Sequence, residues 1–249
     1  MTWCVSITVD VDGETGLPDG GRAYERRLSS RSERLYGLRR GLPRVLAALG
    51  DGGLRATFYV RGVVARRHPD EVRGIVTAGH ELGHHGHTHR RPDRLSAREQ
   101  RSELEEGLAA LAPLAGAPVR GYRAPGWELT PATLAALGEL GFAYDSSLMG
   151  DDRPYRVAAG AAELVELPVH WTLDDAPYFG AAATDPAGLV AVWEAELERA
   201  RVERRHLTFT LHPEILGRPH RIGALQRLVE LIRARGARHV THTEAAAAA

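Results

Sequence analysis

Short apolar runs rich in β-branched residues alternate with amphipathic segments along nearly the whole chain. This alternation is the strongest constraint on the fold. Parallel strands need a crossover of a dozen or more residues between them, and a helix is what usually fills it. Strands are predicted at 5–10, 55–60, 80–84, 121–124, 142–145, 164–167, 207–211 and 238–241. Helices are predicted at 41–49, 70–78, 96–111, 131–140, 185–204 and 222–235. Two helix starts are written plainly. Ser96 with Glu99 three residues on forms a capping-box pattern, and Thr130 precedes Pro131 at a first helical position. The strand at 207–211 reads as alternating. Residues 11–40 are polar, Gly-rich and Arg-rich, and read as a long loop or insertion. The five terminal alanines read as frayed. No internal repeat and no linker interrupts the pattern. The expectation is one α/β domain over residues 1–249 with a largely parallel sheet, closed into a barrel.

Composition narrows the partners. With 43% hydrophobic residues in 249, a sizeable core can be buried. The 32 basic and 32 acidic residues cancel, whereas nucleic acid or an anionic membrane asks for a basic excess. Every basic residue among the 32 is arginine, which reflects base composition of the coding sequence more than function. The single cysteine, Cys4, excludes an internal disulfide and reads as a small buried hydrophobe. No apolar stretch approaches the ~20 residues that span a bilayer. The chain enters its first strand almost at once, so a cytoplasmic protein with a substrate inside the cell is expected.

In parallel α/β folds, sites gather at the C-terminal ends of the strands. Four predicted strands end in ionisable residues. Asp10-Val11-Asp12 follows the first, and in an extended segment residues i and i+2 point the same way. His85-Gly86-His87-Thr88-His89 follows the third. Arg123 ends Gly121-Tyr122-Arg123, and His212 ends the run from Leu207. Two imidazoles four residues apart can grip one metal ion, and a carboxylate from another strand completes a set that leaves coordination positions open. A His-rich solvated loop is the plainer reading of this segment, and covers His84 and His87.

These residues, in this order at these strand ends, resemble the polysaccharide deacetylase (NodB homology) family of carbohydrate esterases. The resemblance implies a distorted (β/α) barrel of about seven strands and metal-dependent hydrolysis of amides or esters. It runs from Val5 to about Thr241. Gly79-His-Glu-Leu-Gly-His-His-Gly-His-Thr-His89 is similar to the family's second, metal-binding histidine motif, Arg123-Ala124-Pro125 to its third motif, and Leu211-His212-Pro213 to its fifth. Two features depart. The first-motif aspartates are separated by Val11, and Tyr144-Asp145-Ser146-Ser147 stands where a Trp- and Asp-bearing fourth motif is usual. Both departures, with Glu166–Asp175, resemble the allantoinase-like and intracellular peptidoglycan-deacetylase-like branch. That branch implies small amides or cyclic imides in place of a polymer, beside the sugar amide of the wider family, and a homo-oligomer, often a tetramer.

The resemblance then assigns roles. Asp12, His85 and His89 are the implied ligands of one divalent metal per chain. Zn²⁺ is the default and Co²⁺ or Ni²⁺ are permitted by the donor set. Asp10 is the implied general base, His212 the general acid, and Arg123 the residue that orients Asp10 through a forked hydrogen-bond pair. Trp127, Trp171 and Tyr178 are candidates for an aromatic wall, and Glu128, Asp174 and Asp175 for polar contacts to substrate. Plainer readings stand beside these: Asp12 capping a turn, Asp10 in a structural ion pair with Arg123, His212 packed at a strand end, the aromatics in the core. The implied function is hydrolysis of non-peptide C–N bonds, with removal of an N-acetyl group from a sugar first and opening of a cyclic amide, imide or ureide as the alternative. A non-catalytic ligand-binding descendant would be expected to lack Asp10 or His212. A metal store would need a denser Cys/His tract.

Overall fold

The computed structural model describes residues 3–14, 26–179 and 185–249. In chain order the elements are β1 (Cys4–Val11), α1 (Leu28–Tyr36), α2 (Leu42–Gly52), β2 (Thr57–Val60), α3 (Gly62–Arg67), α4 (Pro69–Thr77), β3 (Glu81–His84), α5 (Ala97–Leu111), β4 (Gly121–Tyr122) and α6 (Pro131–Glu139). There follow β5 (Tyr144–Asp145), β6 (Tyr155–Ala159), β7 (Ala162–Glu166), α7 (Asp175–Phe179), α8 (Pro186–Glu203), β8 (His206–Leu211), α9 (Pro213–Leu216), α10 (Ile222–Ala234), β9 (Arg238–His239) and α11 (His242–Ala247).

Eight strands run parallel, seven of them in the order β7-β5-β4-β3-β2-β1-β8 and β9 beside the start of β1, and β6 adds an antiparallel edge beside β7. The curled sheet and its outer helices form the distorted (β/α) barrel that the sequence implies. Past β8, a single parallel bridge joins Asp174 to Thr210. No helix among the described residues is long and apolar enough to cross a membrane.

β1 shows why this sequence makes a barrel. Its side chains alternate with period two, and both faces are buried. Val5, Ile7, Val9 and Val11 join the core between sheet and helices. Ser6, Thr8 and Asp10 point the other way, into a polar interior. There Ser6 bonds His206 at 2.9 Å and Thr8 accepts from Arg123 at 2.8 Å. β8 is likewise buried at every position. It has helices on one side and the barrel interior on the other, so the predicted alternation of exposure is absent. The pleat that buries four β1 apolar residues outside therefore delivers Asp10 inside.

Four expectations are corrected. Of the segment 11–40, residues 15–25 lie outside those described, and 28–40 are helical: α1 continues through a π-helical turn, Gly37–Gly41, into α2. α1 buries no residue completely, so no apolar stripe marks it. Glycine sets how closely this unit approaches α9, since a Cβ on Gly41 would stand 2.0 Å from the Pro213 carbonyl oxygen. The hairpin strand β6 is missed because only Ala159 of its five residues is fully buried. The short helix α3 is missed because six residues are too few to show a period. The terminal alanines belong largely to α11, which Thr241 and Glu244 start with a capping box. His242 then seals the barrel floor, with its N–H on Thr57 Oγ1 at 2.9 Å and its Nδ1 against the Tyr59 hydroxyl at 2.7 Å.

Candidate metal and acid–base site

The end of β1 and the loop after β3 meet at the barrel rim. Asp12 Oδ1 lies 3.2 Å from His89 Nε2 and 3.5 Å from His85 Nε2. All three ligand atoms fall within 4.8 Å of one another. The tautomer of His85 is set from behind, since its Nδ1 meets the Arg123 carbonyl oxygen at 2.8 Å. Nδ1 must donate there, so the Nε2 lone pair faces Asp12. Burial pushes His85 down to about 4, which keeps it neutral and able to coordinate. Burial also opposes the charge on Asp12, but the neighbouring His89 and Arg34 outweigh it and hold the carboxyl well below its usual range.

Asp12 Oδ1 is buried with no hydrogen-bond donor. A buried anionic oxygen without a partner is costly. The two imidazole nitrogens beside it are the other donors of an N2O set that leaves positions open, so the residues fit a divalent metal such as Zn²⁺. The other oxygen, Oδ2, is engaged by Arg34 at 2.9 Å, and Arg34 also reaches Glu214 at 3.0 Å.

The two ligand-bearing segments are tied together by residues that sequence reasoning missed. Arg61 is fully buried and donates to the carbonyl oxygens of Asp12 and Thr88. Glu103 of α5 accepts from the backbone N–H of His87 at 2.9 Å and of Thr88 at 2.7 Å. These ties hold His89 at φ 69° and Gly86 at φ 70°, a left-handed region where His is tolerated more than most residues. His84 and His87 are buried, not solvated. His84 accepts from Gly86 N through Nδ1 at 3.0 Å, and its Nε2 meets the Leu104 carbonyl oxygen at 3.1 Å.

Asp10 faces the same centre, with Oδ2 3.9 Å from His85 Nε2. Its Oδ1 accepts from Arg123 Nη1 at 2.8 Å. The expected forked pair is corrected to this single bond, because the rest of the guanidinium is already committed. Nη1 also donates to Thr8, Nε to the Ser146 carbonyl and Nη2 to Ser146 Oγ, while the face lies 4.3 Å from the Tyr59 ring. A fully buried cation held at four oxygens and one ring cannot swing, so neither can Asp10.

On the other side, His212 leaves β8 with its Nδ1 2.7 Å from Asp175 Oδ1, and its backbone N–H on Asp175 Oδ2 at 3.0 Å. Asp174 Oδ1 stands 3.6 Å away. Burial disfavours the charged ring, but Asp175 and Asp174 prevail and raise His212 well above the usual histidine value.

The description "Polysaccharide deacetylase" belongs to the family profile that matches residues 36–144. A Mycobacterium smegmatis structure assigned as a polysaccharide deacetylase is 38% identical, with a TM-score of 0.90 over 97% of this chain and 87% of that one. The chain belongs to the polysaccharide deacetylase family. A peptidoglycan deacetylase of Helicobacter pylori is 28% identical over 97% of this chain and 94% of its own length. The allantoinase Puue shares the fold, with a TM-score of 0.88 at 22% identity over 98% of this chain and 89% of its own.

His212 takes its carboxylate partner from the segment Trp171–Asp175, not from Tyr144–Ser147. Asp175 orients His212, whereas Asp145 turns to Glu166. Asp145 Oδ2 and Glu166 Oε2 are both buried without a donor. Burial, with the like charge of Asp145, raises Glu166 well above its usual range, and Asp145 is pushed to about 6. A single proton shared between the two acids would give both oxygens a partner.

The remaining rim candidates scatter. Trp127, at φ 56°, stacks on Trp171 with ring centres 4.2 Å apart. Trp127 is buried while Trp171 keeps 45% of its surface exposed, so the pair offers one open indole face. Tyr178 does not extend that platform. Its ring meets Phe179 at 5.3 Å and its hydroxyl donates to the Asp185 carbonyl at 3.3 Å. Glu128 pairs with Arg91 at 3.5 Å on the surface. Asp174 is buried beside His212 and accepts from Ala176 N at 2.8 Å.

Proposed function

We propose that the chain is a metal-dependent hydrolase of amide C–N bonds other than peptide bonds, with removal of an N-acetyl group from a sugar as its reaction. The observation that carries this reading is the orphaned Asp12 oxygen between two imidazole nitrogens, with a carboxylate (Asp10) and a protonatable histidine (His212) facing the same centre.

A divalent ion held by Asp12, His85 and His89 would supply Lewis acidity to the substrate carbonyl and to water. The protein residues do the rest. Asp10, held by its hydrogen bond from Arg123, takes a proton from the attacking water. Water oxygen bonds to the carbonyl carbon. His212 gives its proton to the amide nitrogen as the C–N bond breaks, and Asp175 stabilises the ring in its charged form until then. Trp171 gives a sugar or a flat ring a face to stack on. The reading extends to a cytoplasmic homo-oligomer with one ion per chain, which native mass spectrometry would count.

The test is metal analysis of wild type beside His89→Ala, then hydrolysis of an N-acetylated sugar, a chitin oligomer, allantoin and a five-membered cyclic imide. About one metal per chain, lost in the variant, with turnover of an acetylated sugar supports the reading. Turnover of allantoin or the imide alone replaces deacetylation with ring opening. Failure to take up Zn²⁺ or Co²⁺ refutes the metal centre.

A further inference from the structure

A recess of about 490 Å³ opens beside the Asp12–His85–His89 cluster, lined by three arginines (Arg34, Arg218, Arg221) against two glutamates (Glu33, Glu214), with Phe179 among its other walls. It shares a wall with the reacting site, because the Arg34 guanidinium that lines it also holds Asp12 Oδ2. The volume lies in the range of small-ligand sites. None of these residues except Arg34 and Glu214 touches the machinery described above, and their charges do not cancel.

Arg34 is set against Asp12 and Glu214 at 2.9 and 3.0 Å. Arg218 lies 3.8 Å over the Tyr36 ring, donates from Nε to the Glu214 carbonyl at 3.3 Å, and has Glu33 at 3.9 Å. Arg221 lies 4.3 Å over the Phe179 ring. It makes no ion pair among the described residues, and its Nε is buried without an acceptor. A guanidinium pinned on an aromatic face, partly desolvated and lacking a counter-charge, is a prepared half of an ion pair. One uncompensated cation suits a single negative charge, and planar geometry suits a carboxylate.

We propose that this recess is a subsite for a carboxylate carried by the amide substrate, with Arg221 as its principal contact and Arg218 beside it. The proposal rests on the hydrolase reading for the reacting end and makes the substrate an acidic amide. A neutral polymer would leave Arg221 unanswered.

The experiment is calorimetric titration of the full chain, with Zn²⁺ added, by N-acetylmuramic acid and by its methyl ester. The two probes differ by one charge. Titrations use Asp10→Asn protein, so hydrolysis does not enter, and lack of turnover by wild type would count against the hydrolase reading alone. The acid is expected to bind about tenfold or more tightly than the ester, the value of one charge-assisted contact. Adding Arg221→Gln should bring the two to parity without changing ester affinity, and Arg221→Lys should restore part of the preference. Circular dichroism checks that each variant is folded. Equal binding of acid and ester, no binding of the acid at millimolar concentration, or full discrimination retained by Arg221→Gln would overturn the proposal.

Discussion

Asp175→Asn isolates the acid half of the site. In the native structure the two carboxylate oxygens each accept one proton from His212, at Nδ1 (2.7 Å) and at the backbone N–H (3.0 Å). Asparagine has one carbonyl oxygen and one NH₂ group. One of the two His212 donors must then face another donor, unless the ring gives up its Nδ1 proton and accepts from the amide. Either outcome disfavours the imidazolium. A hydrogen bond to a charged group is worth about 1.5–3 kcal/mol, so the ratio of charged to neutral His212 should fall about 10- to 150-fold at a given pH. The sign is fixed by the general-acid role. Deprotonating His212 removes activity, so the alkaline limb of kcat/KM should move to lower pH in the variant. Between the variant and wild-type limbs the loss of turnover should grow with pH, reaching about that factor above the wild-type limb. The assays are a pH–rate profile on the best substrate of the panel and an NMR titration of the His212 ring. Asp174, at 3.6 Å, remains and keeps part of the effect in place. An unchanged alkaline limb together with an unchanged ring titration would refute the claim that Asp175 holds the acid protonated.

Three further outcomes follow from the geometry. Asp10→Asn should keep its metal, read by elemental analysis, and lose about 10²- to 10⁴-fold in turnover; a purely ligand-binding protein would keep its whole function. Asp145 and Glu166 hold protons more tightly folded than unfolded, so they make stability fall as pH rises from about 4, the usual carboxyl range, through the raised folded values. Glu166→Gln, whose amide can donate to Asp145, should therefore flatten the difference in urea midpoint between pH 5 and pH 8, and a variant as pH-dependent as wild type would contradict the shared proton. Gly41→Ala should cost about 1–3 kcal/mol in chemical denaturation by overpacking and also slow turnover, because its Cβ would strike the Pro213 carbonyl beside His212.

What could be read in the sequence depended on whether one short segment carried the whole signal. β1 carries its own: alternating valines and isoleucine on one face, Ser6, Thr8 and Asp10 on the other, so strand, inward face and acidic end are visible together. The helix at 97–111 announces itself through Ser96 and Glu99, and the structure forms that capping box. Arg34 could not be found this way. It sits in a helix with no fully buried residue, and its importance comes only from reaching Asp12 and Glu214 in distant segments. Arg61 and Glu103 are alike in this, since they matter through the backbone groups they satisfy, which no local pattern records. Asp175 was visible as an acid near the rim but not as the partner of His212, because 37 residues and a strand separate them.

The division has a physical origin. Groups that meet the reacting atoms must lie at strand ends, where the pleat fixes their direction, and so the sequence betrays them. Groups that hold those side chains in place are chosen by charge and reach. An arginine can fulfil such a role from any element whose backbone comes within its length. Here Arg123, Arg61 and Arg34 come from a strand end, a loop and a surface helix, and each fixes a different part of the centre: Asp10 by its side chain, the Asp12 and Thr88 carbonyls, and Asp12 Oδ2. Three cations around one rim would repel an ion at the His–Asp cluster if their charge were unspent. Asp10 pairs with Arg123 and Asp12 and Glu214 pair with Arg34, while Arg61, although burial lowers it to about 10, stays charged beside the carboxylates of Asp12, Glu103 and Glu214. The centre is thus built rigid and nearly neutral, and under the proposed function its reactive features would be the positions left open by Asp12, His85 and His89 and the proton on His212.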